Sequence, residues 1–194
     1  MLEKIFTDNQ KINEILKNTC DKPELDDLNE EMEGIKYFLW LNPERCGLFF
    51  SQFILLVEGP TERVLFNYLI EKGEIKIPKG GIFILDCFCK YNIHRFMNLL
   101  EPFKIKHSIL FDLDIGKNKN KHYKIKELID NTINEYTYKI DYFQNDLESF
   151  LGIEKSGKPH RKPQHVLFKI KKNEIQKSAL NMLANKIENL FPDN

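Results

Sequence analysis

Long apolar runs are missing from this chain of 194 residues. The longest, Phe53–Val57 and residues 82–85, fall far short of the roughly 20 residues a membrane helix needs, so they read as buried strands. A secretory signal is missing as well: Met-Leu-Glu-Lys-Ile-Phe-Thr-Asp has no basic stretch leading into an apolar one, and a cytoplasmic location with no membrane attachment is the expectation. Cysteine is scarce, and Cys20, Cys46, Cys87 and Cys89 match neither a disulfide framework nor a paired CxxC zinc site. Cys87 and Cys89 with His94 can be drawn as a metal cluster, but two thiols one residue apart at a strand end read as packing. Nor is there an excess of either charge, since 29 basic groups meet 29 acidic ones. That balance argues against a strongly basic nucleic-acid coat protein. It conceals a split, however: residues 1–50 carry 6 basic and 11 acidic groups, residues 51–150 carry 14 of each, and residues 151–194 carry 9 and 4.

What is present is a change of period along the chain. Leu2, Ile5, Phe6, Ile12, Ile15 and Leu16 recur at helical spacing, with an interruption expected near Asp8-Asn9. A second helix is expected over residues 23–41, with Pro23 in its first turn and Glu24, Asp26 and Asp27 at its positive end. From residue 53 the pattern becomes strand, tight turn, helix, and it repeats. Strands are expected at 53–57, 82–85, 108–111 and 139–143, with helices marked by Val64, Leu65, Tyr68, Leu69 and Ile70, then by Ile93, Phe96, Met97, Leu99 and Leu100, then by Ile125, Leu128, Ile129 and Ile133. Such alternation implies right-handed βαβ crossovers and a mostly parallel sheet. Strands this uniformly apolar suit a sheet covered on both faces. The division expected is a helical segment over 1–50, an α/β domain over 51–152 and a basic helical segment over 153–194.

In open parallel sheets, ligands bind beyond the carboxyl ends of the strands, at the point where strand order reverses. Those ends carry acids here: Glu58 after the first strand, Asp112 and Asp114 after the third, Asp146 and Glu148 after the fourth. Carboxylates converging in one crevice repel unless protonated or bound to cations, and hard Mg²⁺ or Mn²⁺ suits an all-oxygen set. Blander readings stand beside this one. Glu62 falls where a helix-capping Glu is favoured, Asp112 and Asp114 can cap a loop, and Glu148 can be an ordinary helix-face acid. Glu58 is harder to explain by packing, because it directly follows five apolar strand residues. Residues 152–158 match Walker A spacing, but Pro159 replaces the metal-binding Ser/Thr and cannot donate a backbone N–H, so ATP binding there is rejected. Lys158, Arg161 and Lys162 remain candidate phosphate contacts.

Leu55-Leu-Val-Glu-Gly-Pro-Thr-Glu62, followed two βα units later by Phe111-Asp-Leu-Asp114, resembles a Toprim domain, the fold shared by topoisomerases, DnaG-type primases and several nucleases. The lead-in Leu41-Asn-Pro-Glu-Arg-Cys-Gly-Leu-Phe-Phe50, with Lys90-Tyr-Asn-Ile-His-Arg-Phe96 and Asp146-Leu-Glu148, is similar to the nuclease half of the OLD (overcoming lysogenization defect) family over roughly residues 40 to 172. The resemblance implies a Toprim α/β fold with helical appendages at both ends. It also implies a metal-dependent phosphodiesterase acting on nucleic acid. Glu58 and Glu62 would help bind one metal, Asp112 and Asp114 would hold or bridge metals, and Glu148 would complete the second site. Glu58, Asp112, Asp114 and Lys162 would be catalytic, with Lys162 facing the scissile phosphate. Lys90, Lys158, Arg161 and Lys162 would contact nucleic acid.

The chain departs from that family's pattern in having neither a Walker A match nor the length for the ATPase domain that OLD proteins carry, so an ATPase supplied separately is the implied partner. Where the family commonly has Gly before the Lys at position 90, this chain has Cys89. The leading expectation is a two-metal DNA endonuclease in bacterial or phage defence, with the acidic N-terminal helices available for docking or homo-oligomerisation. An RNA nuclease is the second reading, and a non-catalytic nucleic-acid-binding or assembly subunit the third. A topoisomerase is disfavoured, because this length cannot supply a presented nucleophilic Tyr and strand-passage machinery.

Overall fold

The protein is described from a computed structural model covering residues 2–19, 29–116 and 119–192. In chain order the elements are α1 (Leu2–Thr19), α2 (Glu30–Trp40), β1 (Phe53–Val57), α3 (Pro60–Glu71), β2 (Phe83–Asp86), α4 (Ile93–Leu100), β3 (Lys106–Asp112), α5 (Lys119–Asn131), β4 (Thr137–Phe143), α6 (Leu147–Leu151), α7 (Lys162–Lys171) and α8 (Lys177–Glu188). The four strands form one sheet in the order β2-β1-β3-β4, with every pairing parallel. The β1–α3–β2 unit therefore runs toward one edge and the later units toward the other. The order reverses between β1 and β3, and beyond their carboxyl ends lies the crevice where ligands bind in such sheets.

Period-2 alternation sends β1 side chains to both faces, and each face meets its own core. Ile54 and Leu56 join Ile109, Phe111 and the apolar faces of α4 and α5, together with Ile12 of α1 and Tyr37 of α2. Phe53, Leu55 and Val57 join Leu110, α3 and residues of α6, α7 and α8. All five β1 residues are buried, as a central strand covered on both sides requires. β4 lies at the edge and is only partly covered.

Three expectations from sequence are corrected. First, α1 runs unbroken through Asp8 and Asn9, because both polar side chains are buried against α4: Asn98 Nδ2 donates to Asp8 Oδ2 at 3.3 Å, and the His94 ring meets Asn9 Oδ1 at 3.1 Å. A polar pair that would break an exposed stripe becomes a docking device when its partners sit on the neighbouring helix. Second, the helix expected over 23–41 is not continuous, since extended Asn29 caps the amides of Glu31 and Met32 and α2 starts at Glu30; the expected start at Pro23 lies outside the described residues. Third, β4 begins at Thr137, two residues earlier than expected, and β3 begins at Lys106. α2 is fastened to α4 by a buried ion pair in which Arg95 donates from Nε and Nη2 to the Glu33 carboxylate at 3.1 and 3.2 Å. Gly152, the first residue of the Walker-like segment, is the left-handed C-cap of α6 at φ +68°, so a helix and not a strand precedes that loop. Among the described residues no helix is long and apolar enough to cross a membrane.

Candidate active site

Each acid at the crevice is placed by a specific piece of backbone. β1 ends at Val57, so Glu58 emerges at the sheet's carboxyl edge, and the Asp112 amide at the end of neighbouring β3 donates to Glu58 Oε2 at 3.0 Å. Glu62 sits in the first turn of α3 and reaches back to accept the Gly59 N–H at 3.1 Å. The capping role is therefore real, and it uses one oxygen. Asp114 adopts φ +51°, a left-handed conformation that Asp tolerates better than most residues. That kink is held because the amides of Leu113, Asp114 and Ile115 donate to the carbonyls of Phe143, Asn145 and Gln144, closing the two loops against each other. Asp146 caps α6 by accepting from Ser149 N and Oγ at 2.9 and 2.6 Å, which sets Glu148 in the helix's first turn, 2% exposed.

The electrostatics record how closely these acids are packed. Burial, then the charges of Glu58, Glu62, Asp114 and Asp146, push Asp112 up to about 10. Burial, then Glu58 and to a lesser degree Glu148, push Glu62 up to about 8. Asp146 goes the other way, to about 2: burial raises it, but hydrogen bonds from Lys155 and Ser149 outweigh that. One buried oxygen in the group, Asp112 Oδ1, has no hydrogen-bond partner, and Glu148 Oε1 has only the Lys162 ammonium near it. Lys162 Nζ stands 3.2 Å from Glu148 Oε1 and forms an ion pair with it. Burial lowers the Lys162 pKa, yet Glu148, Asp112 and Glu62 reverse the sign and hold it above its usual range.

A divalent cation fits this donor set. It would neutralise acids that raise one another's pKa, and it would take up the Asp112 oxygen that no donor satisfies. Among the described residues no three His, Cys, Asp or Glu side chains stand ready-made as a ligand cluster. The ammonium groups of Lys90 and Lys162 stand against Asp114 and Glu148.

Lys90 differs from its expected role. It is 4% exposed, and its Nζ pairs with the Asp114 carboxylate and donates to the Asp112 carbonyl at 2.9 Å. An ammonium so placed braces the acids. Lys158 and Arg161 are exposed and Lys162 half-buried at the start of α7. His94 faces Asn9 across α1, the Cys89 thiol accepts from the Asn92 amide at 3.4 Å, and Cys87 is fully buried.

Sequence reasoning missed Asp86. Its carboxylate receives Arg45 Nη1 at 3.2 Å and Arg63 Nε at 3.1 Å, its carbonyl accepts from Arg45 Nη2, and Arg63 also reaches Glu44 at 3.1 Å. The signal that singled out Glu58, an acid directly after an apolar strand, applies equally to Asp86.

With this geometry in view, residues 49–114 match the family described as overcoming lysogenization defect protein-like, TOPRIM domain. That segment, which carries β1, β2 and β3, is similar to OLD-like Toprim domains, and the four-stranded parallel sheet flanked by helices is consistent with the Toprim α/β fold. Endonuclease GajA of Bacillus cereus (strain VD045) is 31% identical over 81 residues, which are 42% of this chain and 14% of that protein. The chain thus spans a small part of the relative's length. The family match includes Glu58, Glu62, Asp112 and Asp114 and stops short of Glu148 and Lys162.

Proposed function

We propose that this protein is a divalent-metal-dependent endonuclease that hydrolyses phosphodiester bonds in DNA. The observation that carries the reading is the buried acid cluster at the strand-order reversal, with an unpartnered Asp112 Oδ1 and a Glu148–Lys162 ion pair beside it, in a chain whose residues 49–114 match the OLD-like Toprim family. Similarity to a protein named as an endonuclease supports the same reaction class. Glu58, Glu62, Asp112, Asp114 and Glu148 would hold two Mg²⁺ or Mn²⁺ ions. When bound, such ions lower the pKa of water and neutralise charge on the phosphate.

The chain's own groups do the rest. The Asp112 amide orients Glu58, and Lys90 holds Asp114 in its left-handed kink. Lys162 offers a cation at the crevice for the scissile phosphate, and exposed Lys158 and Arg161 extend the positive surface along the substrate. A role in bacterial or phage defence, action alongside a separate ATPase, self-association and a cytoplasmic setting belong to the same proposal.

Nicking of plasmid DNA in Mg²⁺ or Mn²⁺ tests it. Wild type cleaves, while Glu58→Ala and Asp112→Ala lose at least about a hundredfold in rate, as removal of preorganised charge stabilisation typically costs. Equal cleavage by wild type and Asp112→Ala sinks the assignment. Matched RNA in the same assay decides between the two polymers, because nothing at the crevice is committed to a 2′-hydroxyl.

A further inference from the structure

The loop between β2 and α4 holds an aromatic side chain packed on one side against Trp40, Phe96 and Arg45 and open on the other. Phe88 adopts φ +66°, a left-handed conformation that is a true outlier for a bulky residue. Strain of this kind persists only where the surroundings enforce it, and it collects at functional sites. The enforcement is visible on both sides. Before Phe88, Asp86 is gripped by Arg45 and Arg63, and the Cys87 amide donates to the Val57 carbonyl at 2.8 Å. After it, Lys90 is tied to Asp114 and to the Asp112 carbonyl.

The strain does not serve to bury the ring, since Phe88 stays 46% exposed. Its covered side is backed by the Arg45 guanidinium, whose carbon lies 4.2 Å from the ring centroid, and by Trp40 at 5.3 Å. Arg45 is itself buried, and its Nε has no hydrogen-bond partner. The loop is a rim of the crevice: its Val57 partner precedes Glu58, and its Lys90 braces Asp114. A rigid, half-open aromatic ring backed by a cation is the kind of surface on which nucleobases stack. A base drawn out of a duplex exposes a face to such a ring, whereas a paired base keeps its faces inside the stack.

We propose that Phe88, backed by Arg45 and Trp40, is a stacking platform for one unpaired nucleobase beside the phosphate at the acid crevice, so that the substrate is nucleic acid that is single-stranded or locally unstacked there. The inference rests on the nuclease reading, since it assigns that substrate to the same crevice.

The test is fluorescence anisotropy of the full chain on a labelled single strand, with calcium replacing magnesium and one abasic residue walked along the strand. The expected result is an affinity loss of about tenfold at one abasic position for wild type, within the range that base–aromatic stacking supplies. Phe88→Leu loses about the same on the intact strand and is indifferent to the abasic residue at that position, while Phe88→Trp retains both the affinity and the abasic penalty. Phe88→Gly keeps the left-handed backbone without the ring, so it repeats the Phe88→Leu result and controls for a distorted loop. A wild type indifferent to every abasic position overturns the proposal, as does a Phe88→Leu protein that keeps wild-type affinity and the abasic penalty. Cleavage by Glu58→Ala at the wild-type rate would defeat the nuclease reading alone, leaving the abasic pattern intact. Failure of wild type to bind any strand would defeat both.

Discussion

Asp112 shows how one residue can be costly to the fold and central to the site. Burial and four neighbouring acids push its pKa up to about 10, so at neutral pH the metal-free fold must take up a proton that the unfolded chain does not hold, which opposes folding. Asp112→Asn removes that protonation cost. The expected outcome is a metal-free protein that melts higher than wild type, about 2–4 °C for each kcal/mol of cost removed, together with disappearance of the upward shift that Mg²⁺ gives wild type. Thermal unfolding in EDTA and in Mg²⁺ reads both effects. Lys90 is the counterpart, an ammonium whose removal leaves Asp114 buried without its cation. Lys90→Met is expected to cost about 3–5 kcal/mol in urea unfolding, with a smaller deficit in Mg²⁺ than in EDTA because the metal substitutes for the missing charge.

At the scale of elements, what matters is which strand ends meet. β3 and β4 are joined beyond their ladder by the Leu113, Asp114 and Ile115 amides, which aim Asp114 toward β1. At the opposite end of β3, His107 sits buried between the Ile105 carbonyl, 3.0 Å from Nδ1, and the Thr137 hydroxyl, 3.1 Å from Nε2. The carbonyl can only accept, so Nδ1 carries the proton and Nε2 is the acceptor. Burial depresses the His107 pKa below 6.5, so the unfolded chain takes up its proton first. This contribution to stability is full above about pH 6.5 and is lost as pH falls through that value toward the folded pKa. His107→Asn, which keeps a donor for Ile105, is expected to flatten urea-measured stability across that range. A slope identical to wild type would show that other groups dominate it.

At the scale of the molecule, charge is sorted by region. The residues after 150 carry 9 basic and 4 acidic groups, and Lys158, Arg161 and Lys162 lead into α7 next to Glu148. Lys158→Ala with Arg161→Ala is expected to weaken DNA binding uniformly across sequences and to lower the steepness of its salt dependence by about one for each phosphate left without its cation. Anisotropy titrations at several salt concentrations measure both quantities. Unchanged steepness would place the phosphate backbone elsewhere.

Much of this organisation is legible along the chain because it depends on local pattern. Unbroken apolar strands such as Phe53–Val57 followed by helical spacing required a sheet with two covered faces, and acids placed directly after strands marked its functional edge. Interactions between distant segments were not legible. Asp8 and Asn9 looked like an interruption of α1 because their partners, Asn98 and His94, lie far along the chain in α4. Lys90 looked like a surface cation because nothing local revealed that Asp114 would come round to meet it. Phe88 carried no signal, since a left-handed φ and an open ring leave no trace in composition. Periodicity and strand-end chemistry are properties of neighbouring residues, so the order of amino acids was enough to dictate the parallel sheet and its acid-bearing edge. Which charges are spent on each other, and which remain to meet a substrate, depended on folding, because only the folded chain brings separate strand ends within hydrogen-bonding distance.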